Sequence, residues 1–561
     1  MTTPILRPEA TVEIADQTIE VSGGEVTLDT VMVPYARATL TVPVVDPEDV
    51  EAIDPREGLR AEIVAGDAQA GASRTFNLGV RGRVVDHVER TIELELASDE
   101  ALLMDYAPLE QDAGARQYES SLRDVCDYVL NKIGASLAPG DWDADVTARW
   151  DLENVILNPD GISGGAAFTQ NGNVTVSYNS AAGAGVDGTT GYVVGTSQGA
   201  GNSFVGLPQN VVTRRGDVWT VSLYAHRSNA QPELPGRIRV YEWDAEQSMI
   251  LTVHESDPQP IPPSGASAPY TWERYDFTFE VKSPATSRLT VYFRFDAAAA
   301  GRIVAIDHVM MTRGDELVPY FSGAVAPSGY ITAWTGSTPT ANNSVSTRTP
   351  ADGVERLPEL FVWEPGVTAW EFLEPITSQA GLRLFCDEQR VWRLVDPAEY
   401  TTAGRINVAG WNATRATDTI RRDDPNLDCT GVVVKYRWRD FDGIERERLD
   451  TAGEPGRVLV WEYNRPYPGP GAAAAILARR QGAGRVQDVT ALANWDATPG
   501  MECSIGLPAT VEQIGQITSV TWTLTDGLMR LGTSGLVDLL PGSIDTLDGV
   551  IDDLIGTIDD L

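Results

Sequence analysis

The stretch AIDHVMMTRGDELVPYFSGAVAPSGYITAWTGSTPTANNSVSTR, residues 305–348, separates two parts of the chain that have different sequence patterns. Before it, short segments of alternating apolar and polar residues lie among Gly, Ser, Asn and Thr, which is typical of β-sandwich strands. After it come helix-capping residues and helical apolar stripes, followed by a second set of alternating segments. The sequence therefore predicts that a sandwich domain ends within this stretch and that another domain resumes after it.

The same stretch resembles a known family. IDHVMMTRGDELVPYFSG, residues 306–323, resembles the closing strand of the carbohydrate-binding-module jelly rolls that phage minor tail proteins carry as insertions. YITAWTGSTPTANNSVSTR, residues 330–348, resembles the Tyr-x-x-x-Trp-Thr-Gly linker that follows those modules. By this resemblance the chain is identified as a minor tail protein of a non-contractile, siphovirus-type phage.

Length and charge limit the remaining interpretations. A chain of 561 residues is too long for one core and predicts about three or four domains. The formal net charge of -37 disfavours a sequence-specific nucleic-acid partner, because phosphate contacts need a basic surface. The chain has neither an apolar run of membrane-spanning length nor a basic segment before an apolar one, so no membrane span is predicted.

The residues outside the insertion resemble the tail hub, or tail-associated baseplate hub, family. Thr368 and Glu371 have capping-box spacing, Gly381 follows as a stop, and a hairpin with a turn at Asp387 comes next. The resemblance implies a homotrimer with two barrel-like domains per chain, located at the tail tip of the virion after synthesis and assembly in the host cytoplasm. It also implies contacts with the distal tail protein, the tape measure protein and other tip proteins.

The predicted fold class is multidomain and mainly β with α+β parts. Two barrel-like hub domains flank an α/β middle domain, which a β-sandwich (jelly-roll) insertion interrupts, and a C-terminal coiled-coil helix follows. The predicted boundaries are 1–112 for the first hub β-barrel, 113–150 with 350–400 for the discontinuous middle domain, 151–323 for the carbohydrate-binding-module-like jelly roll, 324–349 for a linker, 401–535 for the second hub β-barrel and 536–561 for the helix.

The strands of the insertion place polar and aromatic residues opposite their apolar faces. VWTVSLYAH, YDFTFEV and RLTVYFRF each alternate, so one face of each strand is predicted to enter the core. RIRVYEW contributes Arg239, Tyr241 and Trp243 to the opposite faces. The other faces gather aromatic rings and hydrogen-bonding side chains, which suit a sugar because its C–H face stacks on a ring and its hydroxyls need polar partners. The candidate carbohydrate-binding residues are Tyr224, His226, Arg239, Tyr241, Trp243, Tyr292 and Arg294. Packing of these rings under loops is the alternative interpretation.

A structural calcium ion is implied by the resemblance to the jelly-roll modules. Asp307 occupies the position at which their Ile-Asp-x-Val motif supplies a carboxylate, and Asn158 lies in the opening strand that supplies further oxygens. No other cofactor is predicted.

No catalytic residue is assigned, and the chain is predicted not to be an enzyme. The Gly195-Thr-Ser-Gln-Gly199 match to G-x-S-x-G is not followed by a helix, so Ser197 is predicted to be a loop serine. The alternatives are a receptor-binding protein or a glycan-degrading tail-tip protein with an accessory sugar-binding module, since paired carboxylates suffice for glycoside cleavage.

The C-terminal segment PGSIDTLDGVIDDLIGTIDDL spaces its apolar residues by alternating steps of four and three. This spacing is typical of a coiled-coil seam, and the hub resemblance favours a trimeric one. The predicted seam residues are Leu540, Ile544, Leu547, Ile551, Leu554, Ile558 and Leu561. A helix that docks on another tail protein is the alternative.

We expect Ile551→Cys to form disulfide-linked pairs of the full chain under mild oxidation, because identical seam positions face each other in a homotypic coiled coil. Asp552→Cys, one position along and outside the seam, is the control and should crosslink far less. Pairing would be read on a non-reducing gel. Absence of crosslinks at position 551 would contradict a homotypic seam and favour the docked helix.

Overall fold

A computed structural model gives the fold of the chain. It describes residues 8–15, 17–44, 53–67, 72–159, 168–207, 211–228, 230–265, 268–335, 345–351, 353, 355–397, 399–420, 429–439, 445–464, 467, 469–480, 485–508 and 511–538. The chain divides into two compact units. Unit 1 comprises Met1–Thr147, Pro358–Trp438 and Arg446–Leu561, and unit 2 comprises Ala148–Leu357 with Arg439–Glu445.

The first part of unit 1 contains strands and two short helices. They are β1 (Pro8–Ile14), β2 (Gln17–Ile19), β3 (Gly23–Asp29), β4 (Ala36–Pro43), β5 (Arg60–Asp67), β6 (Ala72–Asp86), β7 (Thr91–Ala97), α1 (Glu100–Asp105) and α2 (Leu122–Asn131).

Unit 2 consists of strands joined by turns and loops. They are β8 (Leu152–Asn154), β9 (Thr169–Gly172), β10 (Val174–Asn179), β11 (Tyr192–Ser197), β12 (Gly201–Leu207), β13 (Val218–Ser228), β14 (Pro235–Trp243), β15 (Ile250–Glu255), β16 (Gln259–Pro260), β17 (Pro263–Ser264), β18 (Glu273–Glu280), β19 (Arg288–Ala297), β20 (Ile303–Arg313), β21 (Tyr330–Trp334) and β22 (Ser346–Pro350).

The chain then returns to unit 1 with two further helices among strands. They are α3 (Ala369–Gln379), β23 (Arg383–Cys386), β24 (Trp392–Val395), β25 (Arg405–Ala409), β26 (Ala413–Ile420), β27 (Gly431–Arg439), β28 (Glu445–Gly453), β29 (Val458–Tyr463), α4 (Ala472–Arg480), β30 (Arg485–Leu492), β31 (Glu502–Gly506), β32 (Gln513–Thr523) and β33 (Leu528–Asp538). With several sheets in two units, the predicted multidomain, mainly β fold class is confirmed.

One 13-stranded sheet joins the two ends of the chain in unit 1. Its main path is β2-β1-β5-β6-β7-β4-β3-β32-β33-β30-β26, and β31 pairs with both β32 and β25. The join is the antiparallel pair of β3 and β32, in which Val26 lies opposite Trp522. Strands from before and after the insertion therefore belong to one hydrogen-bonded sheet.

The guanidinium of Arg74, on β6, connects four segments of unit 1. It pairs with Glu388 in the β23–β24 turn and donates to the Ala497 carbonyl at 2.7 Å and to Thr498 Oγ1 at 3.0 Å. It also lies 5.1 Å from the ring centroid of Trp522 on β32. The side chains of Arg74 and Glu388 are only 12% and 10% exposed, so each charge depends on the other.

The chain segments on either side of the insertion meet around α2 and α3. An isolated β-bridge pairs the backbones of Asp112 and Trp363, and another pairs those of Leu137 and Trp392. The predicted capping box of α3 is confirmed, with Glu371 N–H donating to Thr368 Oγ1 at 3.2 Å and Thr368 N–H donating to Glu371 Oε2 at 2.9 Å. These two hydrogen bonds define the N-terminus of α3, directly before the residues that form its buried face.

A smaller sheet of order β28-β27-β29 packs on α4. Val432 and Val434 on β27 and Leu477 on α4 are buried in its core. The Asp450 carboxylate, on β28, accepts hydrogen bonds from the N–H groups of Gly471 at 3.0 Å and Ala473 at 2.8 Å. These N–H groups have no partner within the helix, so the carboxylate stabilises its N-terminus.

Unit 2 is a sandwich of two sheets. One sheet has the order β10-β11-β20-β13-β17 with β18 on β13, and the other has the order β15-β14-β19-β12-β9 with β16 on β14. The predicted core faces are confirmed, because alternate residues of these strands form one cluster of buried side chains between the sheets. This cluster includes Trp219, Val221, Leu223, Ala225, Tyr275, Phe279, Val281, Leu289, Val291, Phe293 and Phe295.

A third sheet, of order β21-β22-β8, holds Arg348 in an aromatic cage. Arg348 is 1% exposed, and its guanidinium lies 4.3 Å from the ring centroid of Tyr330, 5.1 Å from Trp150 and 5.3 Å from Phe321. Burial lowers the pKa of this guanidinium, and the π faces provide its electrostatic compensation. The cage joins the chain that enters the sandwich to the chain that leaves it. The predicted C-terminal helix spans residues 536–561. Residues 536–538 instead end strand β33, which corrects the predicted start of the helix, and residues 539–561 lie outside the described residues.

We expect Arg74→Met to destabilise unit 1 by about 3–5 kcal/mol, because it leaves the Glu388 carboxylate buried without its cation. The double variant Arg74→Met with Glu388→Gln should recover part of this loss, since no buried charge then remains unpaired. Thermal unfolding of the two variants and the parent chain provides the measurement. Equal melting temperatures for Arg74→Met and the parent chain would contradict the role assigned to the pair.

Candidate functional site

The β15-β14-β19-β12-β9 sheet of unit 2 presents a polar and aromatic face on the side away from the core. On β14 the even-numbered residues Ile238 and Val240 are buried, so the odd-numbered ones point outward. On β19 the alternation is reversed, because Val291 and Phe293 are buried. We call the outward set the arginine–aromatic face; it comprises Phe204, Arg237, Arg239, Tyr241, Trp243, Glu255, Arg288, Tyr292, Arg294 and Asp296.

Four aromatic rings form a continuous row on the arginine–aromatic face. The ring centroids of Trp243 and Tyr241 are 6.3 Å apart, those of Tyr241 and Tyr292 are 5.6 Å apart, and those of Tyr292 and Phe204 are 5.9 Å apart. Trp243 Nε1 donates to Thr290 Oγ1 at 2.8 Å, which fixes its indole. All four rings are partly exposed, so their faces can contact a ligand.

Arg239 and Arg294 lie among these rings. The guanidinium of Arg239 is 5.1 Å from the ring centroid of Tyr241 and 5.8 Å from that of Phe204. Arg294 is 5.9 Å from the Phe204 ring and donates to Asn202 Oδ1 at 2.9 Å. Such arrangements orient a guanidinium without removing all of its N–H donors.

Two carboxylates accept from the arginines of this face. Glu255 lies 2.8 Å from Arg294 and 3.7 Å from Arg237, and Asp296 lies 3.1 Å from Arg294 and 3.3 Å from Arg237. Burial lowers the pKa of Arg294, whereas Asp296 and Glu255 raise it, and the net shift is upward. Both carboxylates therefore form ion pairs with the same two arginines.

The structure divides the seven predicted sugar-binding residues between two sheets. Arg239, Tyr241, Trp243, Tyr292 and Arg294 lie together on the arginine–aromatic face. Tyr224 and His226 lie on β13, which belongs to the other sheet. The seven side chains do not form one site, because adjacent segments in the sequence enter opposite sheets of the sandwich.

His226 belongs to a separate aromatic cluster. Its ring stacks on Tyr270 with centroids 4.8 Å apart and meets Trp272 edge-on at 4.3 Å. Burial lowers the pKa of His226 to about 4, so its imidazole is neutral at pH 7. Tyr224 lies in a different place, with its ring centroid 6.0 Å from that of His308.

Sequence analysis missed several members of the arginine–aromatic face: Phe204, Arg237, Glu255, Arg288 and Asp296. The alternation that identified Tyr292 and Arg294 continues to Arg288 and Asp296 on the same strand. Phe204 is placed by its antiparallel pairing with Arg294 across β12 and β19. Glu255 is placed likewise by pairing with Arg239.

The contacts of Asp307 test the predicted calcium site. Its Oδ2 accepts the Val186 N–H at 2.8 Å and its Oδ1 accepts the His308 N–H at 2.8 Å. Asn158 directly precedes Pro159. The carbonyl of Pro159 accepts the Val309 N–H at 3.1 Å. Both carboxylate oxygens thus face N–H donors, whereas Ca²⁺ takes about six to eight oxygen ligands. The contacts of Asp307 are thus those of a structural hydrogen-bond acceptor, and calcium at this position stays an untested prediction.

Buried polar groups elsewhere in unit 2 have structural contacts. The Ser197 hydroxyl donates to the Ala299 carbonyl at 2.8 Å and accepts the Arg302 N–H at 2.9 Å. Ser197 ends strand β11 and is buried, which corrects its predicted loop position. Glu242 is fully buried and accepts from His254 at 2.6 Å and from the Lys282 N–H at 2.9 Å.

The described residues contain neither a cluster of metal-ligating side chains nor a membrane-spanning helix. No group of three or more His, Cys, Asp or Glu side chains in these ranges could hold a metal ion. No helix in the same ranges is long and apolar enough to cross a membrane.

No protein-family model and no curated protein matches the chain. Two solved structures that match nearly its whole length are tail proteins. A tail protein from Neisseria meningitidis MC58 is 8% identical over 94% of this chain and 96% of that one, with a TM-score of 0.37. The 43 kDa tail protein of prophage MuSo2 from Shewanella oneidensis is 10% identical over 94% of this chain and 98% of that one, with a TM-score of 0.38.

Other solved structures match about a third of the chain or less. The xylan-binding CBM22-1 domain from Paenibacillus barcinonensis Xyn10C is 12% identical over 27% of this chain and 87% of that one, with a TM-score of 0.20. The chain spans 21% of the tailspike protein 4 domain of bacteriophage CBA120, and that match covers 29% of this chain at 16% identity and a TM-score of 0.22. Because all of these TM-scores lie below 0.5, the likeness carries no argument about what this chain binds.

We expect Asp307→Ala to lower the melting temperature of unit 2, because it leaves two buried N–H groups without their acceptor, at a cost of about 1–3 kcal/mol for each. Asp257→Ala, at an exposed position of the same unit, is the control. A calcium chelator should leave the parent chain unchanged. A chelator-induced loss of stability in the parent chain that is absent in Asp307→Ala would instead identify a calcium site.

Proposed function

We propose that this chain is a structural hub protein of a phage tail tip and that its inserted sandwich binds a glycan of the host surface. The observation that carries the glycan role is the arginine–aromatic face, where a row of four partly exposed rings lies beside oriented guanidinium groups. Rings of this kind stack on the C–H face of a sugar, and the arginines supply donors to its oxygens.

The hub role is supported by the sequence resemblance of the segments outside the insertion. Strands from both segments pair in the 13-stranded sheet of unit 1, and α2 and α3, one from each segment, pack together there. By the same resemblance the protein forms a homotrimer at the tail tip, and it contacts the distal tail protein, the tape measure protein and other tip proteins.

The domain boundaries that we propose for this hub are those predicted from the sequence. They are 1–112 and 401–535 for the barrel-like domains, 113–150 with 350–400 for the middle domain, 151–323 for the jelly roll, 324–349 for the linker and 536–561 for the C-terminal helix.

We favour a binding role over a glycan-degrading one. Glycoside cleavage by a carboxylate pair requires one group to give a proton and the other to act as nucleophile or base. On the arginine–aromatic face the two carboxylates, Glu255 and Asp296, both form ion pairs with Arg237 and Arg294. Both carboxylates thus have structural partners on this face, and we assign neither of them a role in cleavage.

We expect the double variant Tyr241→Ala with Tyr292→Ala to weaken binding of the full chain to its surface polysaccharide by about tenfold or more, because two stacking rings are lost. Trp411→Ala, which removes a 78% exposed ring from unit 1, is the control. Binding would be measured on an array of purified bacterial surface polysaccharides.

Two results of that measurement would contradict the proposal. Equal binding by the double variant and the parent chain would remove the arginine–aromatic face as the binding site. Release of sugar fragments from the bound polysaccharide would contradict the non-enzymatic role and favour the glycan-degrading alternative.

A further inference from the structure

The arginine–aromatic face has a charge balance opposite to that of the whole chain. Its strands present four arginines, Arg237, Arg239, Arg288 and Arg294, and two carboxylates, Glu255 and Asp296. The complete chain carries a formal charge of -37. A local excess of guanidinium groups therefore lies on the same surface as the aromatic row, within a strongly acidic protein.

Arg239 is incompletely compensated within this face. Its nearest carboxylate among the described residues is Glu255, at 3.9 Å, which is beyond hydrogen-bond distance. Its Nε is buried and has no hydrogen-bond partner in the same part of the chain. The guanidinium instead lies against the rings of Tyr241 and Phe204, which orient its plane while leaving N–H donors unused.

Arg288 provides a second cation at the other end of the aromatic row. It lies opposite Trp243 in the pairing of β14 and β19, and it is exposed. No carboxylate of the described residues lies within 4.0 Å of it. Arg239 and Trp243 are four residues apart on β14, so the two cations are separated by about 13 Å along the strands. Tyr241 lies between them on the same strand.

We propose that the glycan bound by this face is acidic, with carboxylate or phosphate groups along its chain; this inference rests on the glycan-binding function proposed above. Arginine binds both groups with two parallel hydrogen bonds, and Arg239 has the donors for such a pair. The rings of Tyr241 and Trp243 contact the sugars between two anionic groups. A neutral glycan stacks on the same rings, but it offers no anion to either guanidinium group.

The test compares matched polymers bound by the full chain. Polygalacturonate supplies carboxylates, its carboxyl-reduced form is the neutral counterpart with the same backbone, and poly(glycerol phosphate) supplies phosphates. Affinities from titration calorimetry should be at least about tenfold tighter for one of the acidic polymers than for the neutral polymer, because each charge-assisted hydrogen bond contributes appreciably. The difference should decrease as salt is raised, and the two acidic polymers distinguish carboxylate from phosphate.

Single-charge variants locate the effect. Arg239→Gln and Arg288→Gln should each reduce binding of the preferred acidic polymer by about tenfold and reduce binding of the neutral polymer much less, so that the acidic preference narrows. Arg56→Gln removes the same charge from an 88% exposed side chain in unit 1 and should change neither. Because Arg288 is exposed, its variant keeps the test valid if Arg239→Gln fails to fold.

The outcomes separate the inference from the function on which it rests. Equal affinity for the acidic polymers and the neutral one, lost in Tyr241→Ala with Tyr292→Ala, overturns the acidic specificity and supports glycan binding. Absence of binding to all three polymers by a folded chain overturns both. An acidic preference that survives in both arginine variants also overturns the assignment to this face.

Discussion

The buried ion pair of Arg74 and Glu388 is the interaction on which unit 1 depends most. One guanidinium reaches a turn, a loop and the Trp522 ring on another strand, and these groups come from three distant parts of the sequence. A guanidinium has five donors in a fixed plane, so it can hold several acceptors at once while a ring covers its face. Trp522 also lies opposite Val26 in the pairing of β3 and β32, so the ring that covers this guanidinium belongs to the strand that joins the two ends of the chain in one sheet.

The sandwich of unit 2 follows a different principle. Strands such as β14 and β19 bury one face, and the alternation of residues leaves their other face partly exposed and available for chemistry. Packing determines which apolar side chains meet in the core, whereas few packing constraints act on the outward residues. A row of rings and guanidinium groups can therefore be placed there without cost to the fold, provided that the charges find partners on the surface.

Arginine has two distinct uses in this protein. In unit 2, Arg348 is buried among three rings and helps to hold the ends of the sandwich together, which leaves it inaccessible to a ligand. Arg239 makes similar contacts with two rings, but it lies on a partly exposed face. The difference is burial: the same cation–π contact stabilises the fold in one place and orients a binding group in the other.

The sequence alone determined the mainly β class, the core faces of the sandwich strands and the capping box of α3, because residue alternation and capping depend on neighbours in the chain. It also identified five members of the arginine–aromatic face. Only the tertiary structure decided that Tyr224 and His226 lie on the opposite sheet, that Phe204 and Glu255 join the face, and that Asp307 is occupied by backbone N–H groups. The physical reason is strand pairing: alternation shows which side of a strand a residue occupies, whereas the order of strands in a sheet depends on contacts between residues far apart in the chain.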